Sequence, residues 1–298
     1  MGLSIRQLHP LFVGEVEGVD LRQPLGPEDV AAIEEGMDRY AVLIFHDQPI
    51  TDEQQIAFTR NFGTIEQAIG NSVTDCQGRR LTTDMADLSN LEREGQIFAR
   101  GDRRRLFDVA NRLWHSDSSF RVVPAKYSLL SARALPTKGG NTEFADMRAA
   151  YDALDETTRA EVEELVCEHS LMYTRSLLGF TEFTEKEHAT FAPVLQRLVR
   201  VHPVTGRKSL YLSSHAGTIV GWPMPDARAF LHDLIEYSTQ PQFVHVHHWR
   251  LYDLVIWDNR QTIHRVRRFD DANEIRDMRR TTLIGDGRTV EQAGSPVG

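Results

Sequence analysis

The stretch Asn111-Arg-Leu-Trp-His-Ser-Asp-Ser-Ser-Phe120 is the part of this sequence on which the predicted fold depends. It places His115 and Asp117 a single residue apart. If the stretch begins a β-strand, both side chains lie on one face, because successive strand residues point to opposite faces. An imidazole nitrogen and a carboxylate oxygen then reach the same point, as in the 2-His-1-carboxylate triad that binds non-haem Fe(II). A surface strand with a polar edge is the alternative.

Length and composition exclude several classes of protein. The chain has 298 residues, 41% of them hydrophobic, which is enough for one large domain with a sizeable core. Its net charge of −9 gives no electrostatic support for nucleic-acid binding. Apolar runs such as 41–45 are too short to cross a bilayer, and the N-terminus lacks the apolar core of a signal peptide. Cys76 and Cys167 lie far apart, which fits a reduced, cytoplasmic setting.

Turn and periodicity signals divide the chain into strands with helices inserted between them. Pro27 and the acids after it predict the start of a helix, and Thr51 with Gln54 predicts a capping box. The predicted strands do not alternate regularly with helices, as they would in a parallel α/β sheet. We therefore predict a mainly β protein with a jelly-roll core. The predicted strands cover residues 3–9, 41–45, 79–87, 126–134, 141–145, 195–202, 209–212, 243–249, 254–257, 262–266 and 278–284.

Two segments are predicted to be poorly ordered. Residues 92–108 are polar and rich in arginine, with few apolar side chains to bury, so we expect a mobile loop. Its place just before the His-x-Asp stretch makes it a candidate lid, and a solvated basic loop is the alternative. The tail over 286–298 is rich in Gly, Pro and polar residues, and we expect it to fray.

A facial triad needs a second histidine, and His264 has the most suitable neighbourhood. It follows Trp257-Asp-Asn-Arg260 on a predicted strand beyond a turn. His245 and His247 also share a strand face and form a rival metal pair. For these two, a strand with mixed surface and core positions is the competing interpretation.

Two arginines follow His264 on one predicted strand face. Arg276 and Arg280 are four residues apart, so their side chains point the same way. Each needs an anion if it is buried, because an unpaired buried charge is costly. Carboxylates are such anions, and arginine binds them with two parallel hydrogen bonds. In the alternative, Arg280 faces solvent and Arg279 pairs with an acid.

Four motifs together resemble the taurine dioxygenase family of Fe(II)/2-oxoglutarate-dependent dioxygenases. Further segments, such as His115–Phe120 and Asp146–Leu154, are similar to its aryloxyalkanoate (2,4-dichlorophenoxyacetate) subgroup. The resemblance covers nearly the whole chain and implies a single catalytic domain, 1–298, with a double-stranded β-helix core. The four motifs are Asn111-x-x-Trp-His-x-Asp117, Gly139-Gly-x-Thr-x-Phe144, Trp257-Asp-Asn-Arg-x-x-x-His264 and Arg276-x-x-x-Arg-x-Thr282.

The resemblance also implies roles for individual residues. The spacing from His264 to Arg276 is one residue longer than the family pattern, and we expect the turn at 270–273 to absorb it. The implied Fe(II) ligands and catalytic residues are His115, Asp117 and His264; Thr142 and Arg276 would bind the distal carboxylate of 2-oxoglutarate; Arg280 and Asn111 would bind the substrate.

The implied reaction hydroxylates an aryloxyalkanoate next to its ether oxygen. O2 and 2-oxoglutarate are consumed, succinate and CO2 are formed, and the product collapses to a phenol and an oxo acid such as glyoxylate. A taurine or alkylsulfonate dioxygenase with the same iron site is one rival, because Arg280 would also accept a sulfonate. A non-catalytic jelly-roll binding protein is another. The sequence leaves open whether the chain forms a homo-oligomer.

Overall fold

The computed structural model describes residues 2–68, 79–180 and 182–292. It is rich in β-sheet with helices inserted between the strands, as the sequence predicts. The strands, in chain order, are β1 (Ser4–Gln7), β2 (Gly14–Glu17), β3 (Val42–Phe45), β4 (Ala86–Asp87), β5 (Ala125–Ala134), β6 (Thr142–Asp146), β7 (Val166–His169), β8 (Val194–Arg197), β9 (Val199–Val201), β10 (Lys208–Leu210), β11 (Ala216–Ile219), β12 (Val244–His247), β13 (Leu254–Asp258), β14 (Thr262–Val266) and β15 (Asp277–Ile284).

The α-helices lie between these strands and vary in length. Short 3₁₀ helices cover Val109–Arg112, Pro241–Phe243 and Thr289–Glu291. The α-helices are α1 (Pro27–Tyr40), α2 (Asp52–Arg60), α3 (Arg103–Asp108), α4 (Met147–Asp152), α5 (Glu156–Glu164), α6 (Leu171–Ser176), α7 (Glu185–Thr190) and α8 (Met224–Ser238).

Two sheets hold the residues that matter for function. The larger has seven strands in the order β1-β2-β3-β13-β5-β15-β4, and its pairings are antiparallel except that of β2 with β3. The smaller is antiparallel in the order β12-β6-β14. Phe144 of the smaller sheet packs with Trp257 and Met278 of the larger one in a single buried cluster. This shared core fixes the two sheets relative to each other, because buried aromatic side chains pack at crystal-like density.

The helix starts follow the sequence signals. Gly26 is extended and Pro27 occupies the first turn of α1, where its missing N–H has no intrahelical acceptor in any case. At α2, the Gln54 backbone N–H donates to Thr51 Oγ1 at 3.2 Å and the Thr51 N–H donates to Gln54 Oε1 at 2.8 Å. Both predictions are confirmed.

The segment 92–108 departs from its predicted loop. Its last residues form α3, which Asp102 caps by accepting a hydrogen bond from the Arg104 N–H at 2.8 Å. Phe98 is buried in the same segment. The sequence reasoning underestimated this order because it counted apolar residues and overlooked the cap. Mobility of the segment stays a prediction.

Two predicted strands have different bounds in the structure. The predicted strand over 79–87 is reduced to β4, and the predicted strand over 195–202 is interrupted at Leu198. β8 pairs with β7, whereas β9 pairs with β10 in a separate ribbon. A continuous apolar pattern does not reveal a change of sheet, because both halves are half-buried strands.

No helix among the described residues is long and apolar enough to cross a membrane. Cys167 is a buried free thiol. Cys76 and the tail residues 293–298 lie outside the described residues.

Candidate active site

Three residues from different parts of the chain meet at one point. His115, Asp117 and His264 each offer a ligand atom, and these atoms all lie within 4.8 Å of one another. Nε2 of His115 is 3.8 Å from Asp117 Oδ1, and Nε2 of His264 is 3.7 Å from Asp117 Oδ2. All three side chains are buried. It is the one such group of His, Cys, Asp or Glu side chains found among the described residues.

The backbone around His115 explains this convergence, and it corrects the predicted strand. His115 forms only an isolated bridge with His264, in which each N–H donates to the other residue's carbonyl, at 3.0 and 2.8 Å. The chain then turns at Asp117, and Ser118 has a φ of 54°. The Asp117 N–H leaves the strand ladder and donates to Asn259 Oδ1 at 3.0 Å. A turn, and not a shared strand face, therefore brings the carboxylate beside the imidazole.

The imidazoles are held in a form suited to metal binding. His115 Nδ1 lies 2.8 Å from the Leu113 carbonyl, so Nδ1 carries the proton and donates, and Nε2 has a free lone pair. Burial lowers the pKa of both His115 and His264, with the neighbouring Asp117 opposing the effect. Both rings are therefore neutral near pH 7, which is the form that binds a metal.

Asp117 is kept ionised despite its burial. Burial alone would raise its pKa, but the Arg280 guanidinium and the two histidines outweigh it and lower the pKa to about 2. Ser128 Oγ donates to Asp117 Oδ2 at 2.7 Å, and an Arg280 guanidinium nitrogen donates to Oδ1. Each carboxylate oxygen thus has a fixed donor, which restricts the rotation of the group.

The Asn259 side chain links the backbone and the carboxylate of Asp117. Its Oδ1 accepts from the Asp117 N–H and, at 3.1 Å, from Trp257 Nε1. Its Nδ2 donates at 2.9 Å to Ser128 Oγ. Because Oδ1 accepts from two N–H groups, the orientation of the amide is settled. Ser128 then has its acceptor side occupied and must direct its own proton to Asp117.

Two adjoining cavities meet at the side chains of His115, Asp117 and His264. One has a volume of about 80 Å³ and includes Thr142, His264 and Arg276 in its lining; we call it the inner cavity. The other, of about 160 Å³, includes Asp117 and extends beneath the 92–108 segment; we call it the outer cavity. His115, Arg280 and Asn111 line both cavities.

The inner cavity is small and mainly apolar in its lining, and it contains the buried cation Arg276. Arg276 is 6% exposed, and its Nη2 donates to the Gly140 carbonyl at 3.3 Å. Thr142 Oγ1 accepts from Trp249 Nε1 at 3.0 Å, which leaves the hydroxyl proton free to donate. The turn after Asp270 closes with a Glu274 N–H to Asp270 carbonyl bond at 2.9 Å. The longer spacing before Arg276 therefore does not prevent Arg276 from reaching the cavity of Thr142 and His264.

Neighbouring arginines on β15 point to opposite sides of the sheet. Arg280 faces the cavities, whereas Arg279 Nη1 donates to Asp52 Oδ1 at 2.6 Å on the other face. The alternative interpretation that Arg279 pairs with an acid is therefore confirmed. The alternative interpretation that Arg280 faces solvent is wrong. Because side chains alternate along the strand, Arg280 lies beside Asp117, and Thr282 lines the outer cavity together with Arg280.

The outer cavity has an aromatic wall. Phe98, Phe107, Phe120 and Phe191 line it, together with apolar leucines. The rings of Phe120 and Phe191 lie 6.1 Å apart in an edge-to-face arrangement. A wall of this kind favours a flat apolar ligand, since aromatic pairs add attraction beyond the area they bury.

Comparison with known proteins identifies the group to which this chain is related. The profile of the family described as "Taurine catabolism dioxygenase TauD, TfdA family" matches residues 4–282. The chain belongs to this family. The match supports the dioxygenase family predicted from the resemblance, and it covers nearly the full length of the chain.

Individual relatives within the family are similar over most of their length. The chain is 44% identical to an alpha-ketoglutarate-dependent 2,4-dichlorophenoxyacetate dioxygenase of Burkholderia sp. (strain RASC), covering 96% of this chain and 95% of that protein. It is 39% identical to an (S)-phenoxypropionate/alpha-ketoglutarate-dioxygenase of Sphingobium herbicidovorans, covering 83% of each. A solved structure described as "AAD-2 in complex with Mn(II) and N-oxalylglycine" has a TM-score of 0.90 and 58% identity, covering 98% of this chain and 100% of that one.

His245 and His247, the rival histidine pair, have different neighbours from each other in this family member. His247 Nε2 is 3.1 Å from Asp253 Oδ2, and His46 Nδ1 is 2.6 Å from Asp253 Oδ1. His245 instead packs near the rings of His9 and Phe12. The two predicted partners therefore do not converge on one point, and His247 is a core residue paired with an acid.

Sequence reasoning missed three residues of the site. Asn259 belongs to a recognised motif and lies beside the predicted strand of a candidate metal ligand. Its amide side chain could therefore have been identified as part of the site. Ser128 lies on β5 and Arg175 on α6, and no local pattern distinguishes either from its neighbours. Only the packing of distant segments brings Ser128 to Asp117 and Arg175 to the outer cavity.

Proposed function

We propose that this chain is an Fe(II)/2-oxoglutarate-dependent dioxygenase that hydroxylates an aryloxyalkanoate such as 2,4-dichlorophenoxyacetate. The carbon between the ether oxygen and the carboxylate gains a hydroxyl group, while 2-oxoglutarate and O2 give succinate and CO2. The resulting hemiacetal loses the phenol and leaves glyoxylate. The single observation that carries the proposal is that two cavities, one containing Arg276 and both bordered by Arg280, meet at the His115-Asp117-His264 group.

We infer that the core is a double-stranded β-helix. The antiparallel smaller sheet faces the larger one across the cluster of Phe144, Trp257 and Met278, as two sheets of a jelly roll do. The candidate ligands lie at the joint: His264 is on β14, and Asp117 is held by residues of β5 and the β13–β14 turn. The sheet strands rigidly support these contacts.

The triad residues fit a divalent iron. Two neutral imidazole nitrogens and one ionised carboxylate are the ligand set of the non-haem Fe(II) oxygenases, and they leave open positions for co-substrate and O2. We propose His115, Asp117 and His264 as the ligands. The iron, when bound with 2-oxoglutarate, would supply the activation of O2 and the removal of hydrogen from the substrate.

The inner cavity is suited to 2-oxoglutarate. We propose that the Arg276 guanidinium pairs with the distal carboxylate of the co-substrate and that the Thr142 hydroxyl donates to it. Burial lowers the pKa of Arg276 to about 10, with Asp108 opposing the effect, so the residue is still charged at neutral pH. A buried cation of this kind gains most from a bidentate carboxylate.

The outer cavity is suited to the aryloxy acid. We propose that Arg280 binds the substrate carboxylate beside the iron ligands, that Asn111 contacts the substrate where the cavities join, and that the aromatic wall holds the ring. Positioning of this kind sets the target carbon beside the iron, and the surrounding side chains exclude water. The aromatic wall favours an aryloxy acid over taurine, which has no ring to place there.

A substrate panel tests this proposal. The purified chain with Fe(II) and 2-oxoglutarate should release succinate and 2,4-dichlorophenol in equal amounts from 2,4-dichlorophenoxyacetate. Taurine should give far less succinate and sulfite. Preferred turnover of taurine would favour the alkylsulfonate rival, and no succinate from any substrate would favour the binding protein. A cytoplasmic setting stays a prediction.

A further inference from the structure

A buried arginine that the proposed mechanism does not use faces the outer cavity. Arg175 lies on α6 and is 5% exposed. It lines the cavity with Leu171, which precedes it by four residues and therefore occupies the same helix face. His115 and His215 line the same cavity, and their rings lie 6.3 Å apart.

The guanidinium of Arg175 has an aromatic neighbour but, within the described part of the chain, no ion-pair partner. Its carbon lies 3.9 Å from the centre of the Phe107 ring, and its buried Nε lacks a hydrogen bond to any described residue. Asp108 favours the charged form of Arg175 electrostatically, but Arg175 forms no ion pair among the described residues. Burial lowers its pKa to about 10, so it remains charged at neutral pH. A buried cation in this state is costly unless a ligand supplies the missing charge.

Several other arginines that line the same cavity have an acid partner, which sets Arg175 apart. Arg80 Nη2 lies 2.7 Å from Asp277 Oδ1. Arg104 Nη2 lies 2.7 Å from Asp102 Oδ2. Arg280 contacts Asp117. The charge of Arg280 is thus already balanced within the protein, while that of Arg175 is balanced only at longer range.

We propose that Arg175 is a second binding residue for the acid group of the primary substrate, acting together with Arg280. This inference rests on the proposed function, because it assumes an acid in the outer cavity. Arg175 and Arg280 line the same cavity as His115 and Asp117, so a carboxylate bound there beside the iron ligands can face both guanidiniums. A carboxylate has two oxygens with several lone pairs and accepts from two guanidiniums at once.

Two-point attachment has a consequence for the reaction. A carboxylate held by one arginine can still turn about the bond to the neighbouring carbon, whereas two arginines fix its plane. The carbon that loses hydrogen is directly bonded to this carboxylate, so fixing the plane fixes the carbon beside the iron ligands. The Phe107 ring beneath Arg175 supports the guanidinium in this place through a cation–π contact.

The test compares an acid with a neutral analogue of the same shape. Binding of 2,4-dichlorophenoxyacetate and of 2,4-dichlorophenoxyacetamide is measured by calorimetry on the full chain with Mn(II) and N-oxalylglycine. Arg175→Met keeps an apolar stem on Phe107 and removes the charge, and Arg175→Lys keeps the charge without the fork. Arg103→Met is the matched control, since Arg103 also stacks on a ring, that of Phe180 at 4.8 Å, but does not line the cavity.

We expect Arg175→Met to weaken binding of the acid about 30-fold, the lower end of the range for losing a buried charged partner because Arg280 still binds the acid, and to leave the amide unchanged. Arg175→Lys should lie between, and Arg103→Met should not alter the acid-to-amide ratio. Equal weakening of acid and amide, or unchanged acid binding, would overturn the inference. If Arg175→Met does not fold, the ratio in Arg175→Lys decides it. Absence of phenol release from the wild-type chain would refute the proposed function separately.

Discussion

The side-chain amide of Asn259 holds Asp117 at both its backbone and its carboxylate. Oδ1 of Asn259 accepts from the Asp117 N–H at 3.0 Å, and Nδ2 reaches the carboxylate through the Ser128 hydroxyl, by bonds of 2.9 and 2.7 Å. The direction of these bonds requires Asp117 Oδ2 to be an acceptor. The network therefore favours the ionised carboxylate that a metal needs.

The first prediction concerns this network. Asn259→Asp has the same shape, but its carboxylate accepts from Ser128 and withdraws that proton from Asp117. We expect weaker Mn(II) or Fe(II) binding, about 10–100-fold as for other partners of metal ligands, measured by calorimetry. Ser128→Ala should give a smaller loss of the same kind. Thr239→Val, which removes a hydroxyl bonded to the Ile235 carbonyl at the end of α8, is the control. Metal affinity equal to wild type in Asn259→Asp would argue against the network.

The second prediction concerns Asp117 itself. Asp117→Ala removes the one carboxylate of the triad and leaves Arg280 without its partner, so the variant should lose Fe(II)-dependent turnover. We expect it to fold, with a free energy of unfolding lower by about 1–3 kcal/mol from the unpaired polar groups. Circular dichroism and urea unfolding check the fold, and succinate release checks the activity. Near-normal succinate release at limiting iron would exclude Asp117 as a ligand.

The third prediction distinguishes the role of Arg276, which immediately precedes β15, from that of Arg280 within β15. Arg276→Ala should chiefly raise the KM for 2-oxoglutarate, and Arg280→Ala that for the aryloxy acid, because Arg276 lines only the inner cavity whereas Arg280 also borders the outer one. Loss of a buried charged partner costs about 2–5 kcal/mol of binding. Steady-state kinetics with each substrate varied in turn measures both effects. Arg279→Ala, on the opposite face, should change neither KM. An effect of Arg280→Ala on 2-oxoglutarate alone would reverse the two roles.

The fourth prediction concerns the 92–108 segment, for which a lid role stays a prediction. Arg105 of α3 and Arg112 both donate to Asp271, and Arg103 pairs with Glu187, so ion pairs fasten the segment over the outer cavity. Asp271→Asn should increase hydrogen exchange of residues 92–112, measured by mass spectrometry, because two ion pairs are lost. Iron, 2-oxoglutarate and aryloxy acid together should lower the exchange in the wild-type chain. Equal exchange with and without these ligands would contradict a lid.

The elements predicted well are those that local chemistry defines. Pro27 and the Thr51–Gln54 capping box start helices wherever they stand, because a cap needs only its own first turn. The alternation along β15 gave the opposite faces of Arg279 and Arg280 for the same reason. The order of 103–108 was missed because the Asp102 cap was overlooked, and because the stacking of Arg175 on Phe107 comes from α6 and is not signalled within the segment.

The sequence by itself determined the family, the residue types of the triad and the face on which each arginine lies, because motifs and strand periodicity are local properties of the chain. The tertiary structure alone decided how the triad closes. Asp117 reaches the imidazoles through a turn, held by Asn259 from a segment more than a hundred residues away and by Ser128 of another strand. It also decided that Arg175 is buried against Phe107 with no ion pair to any residue in the described ranges. Such contacts depend on which distant segments pack together, and the energy of that packing is not contained in any single stretch of sequence.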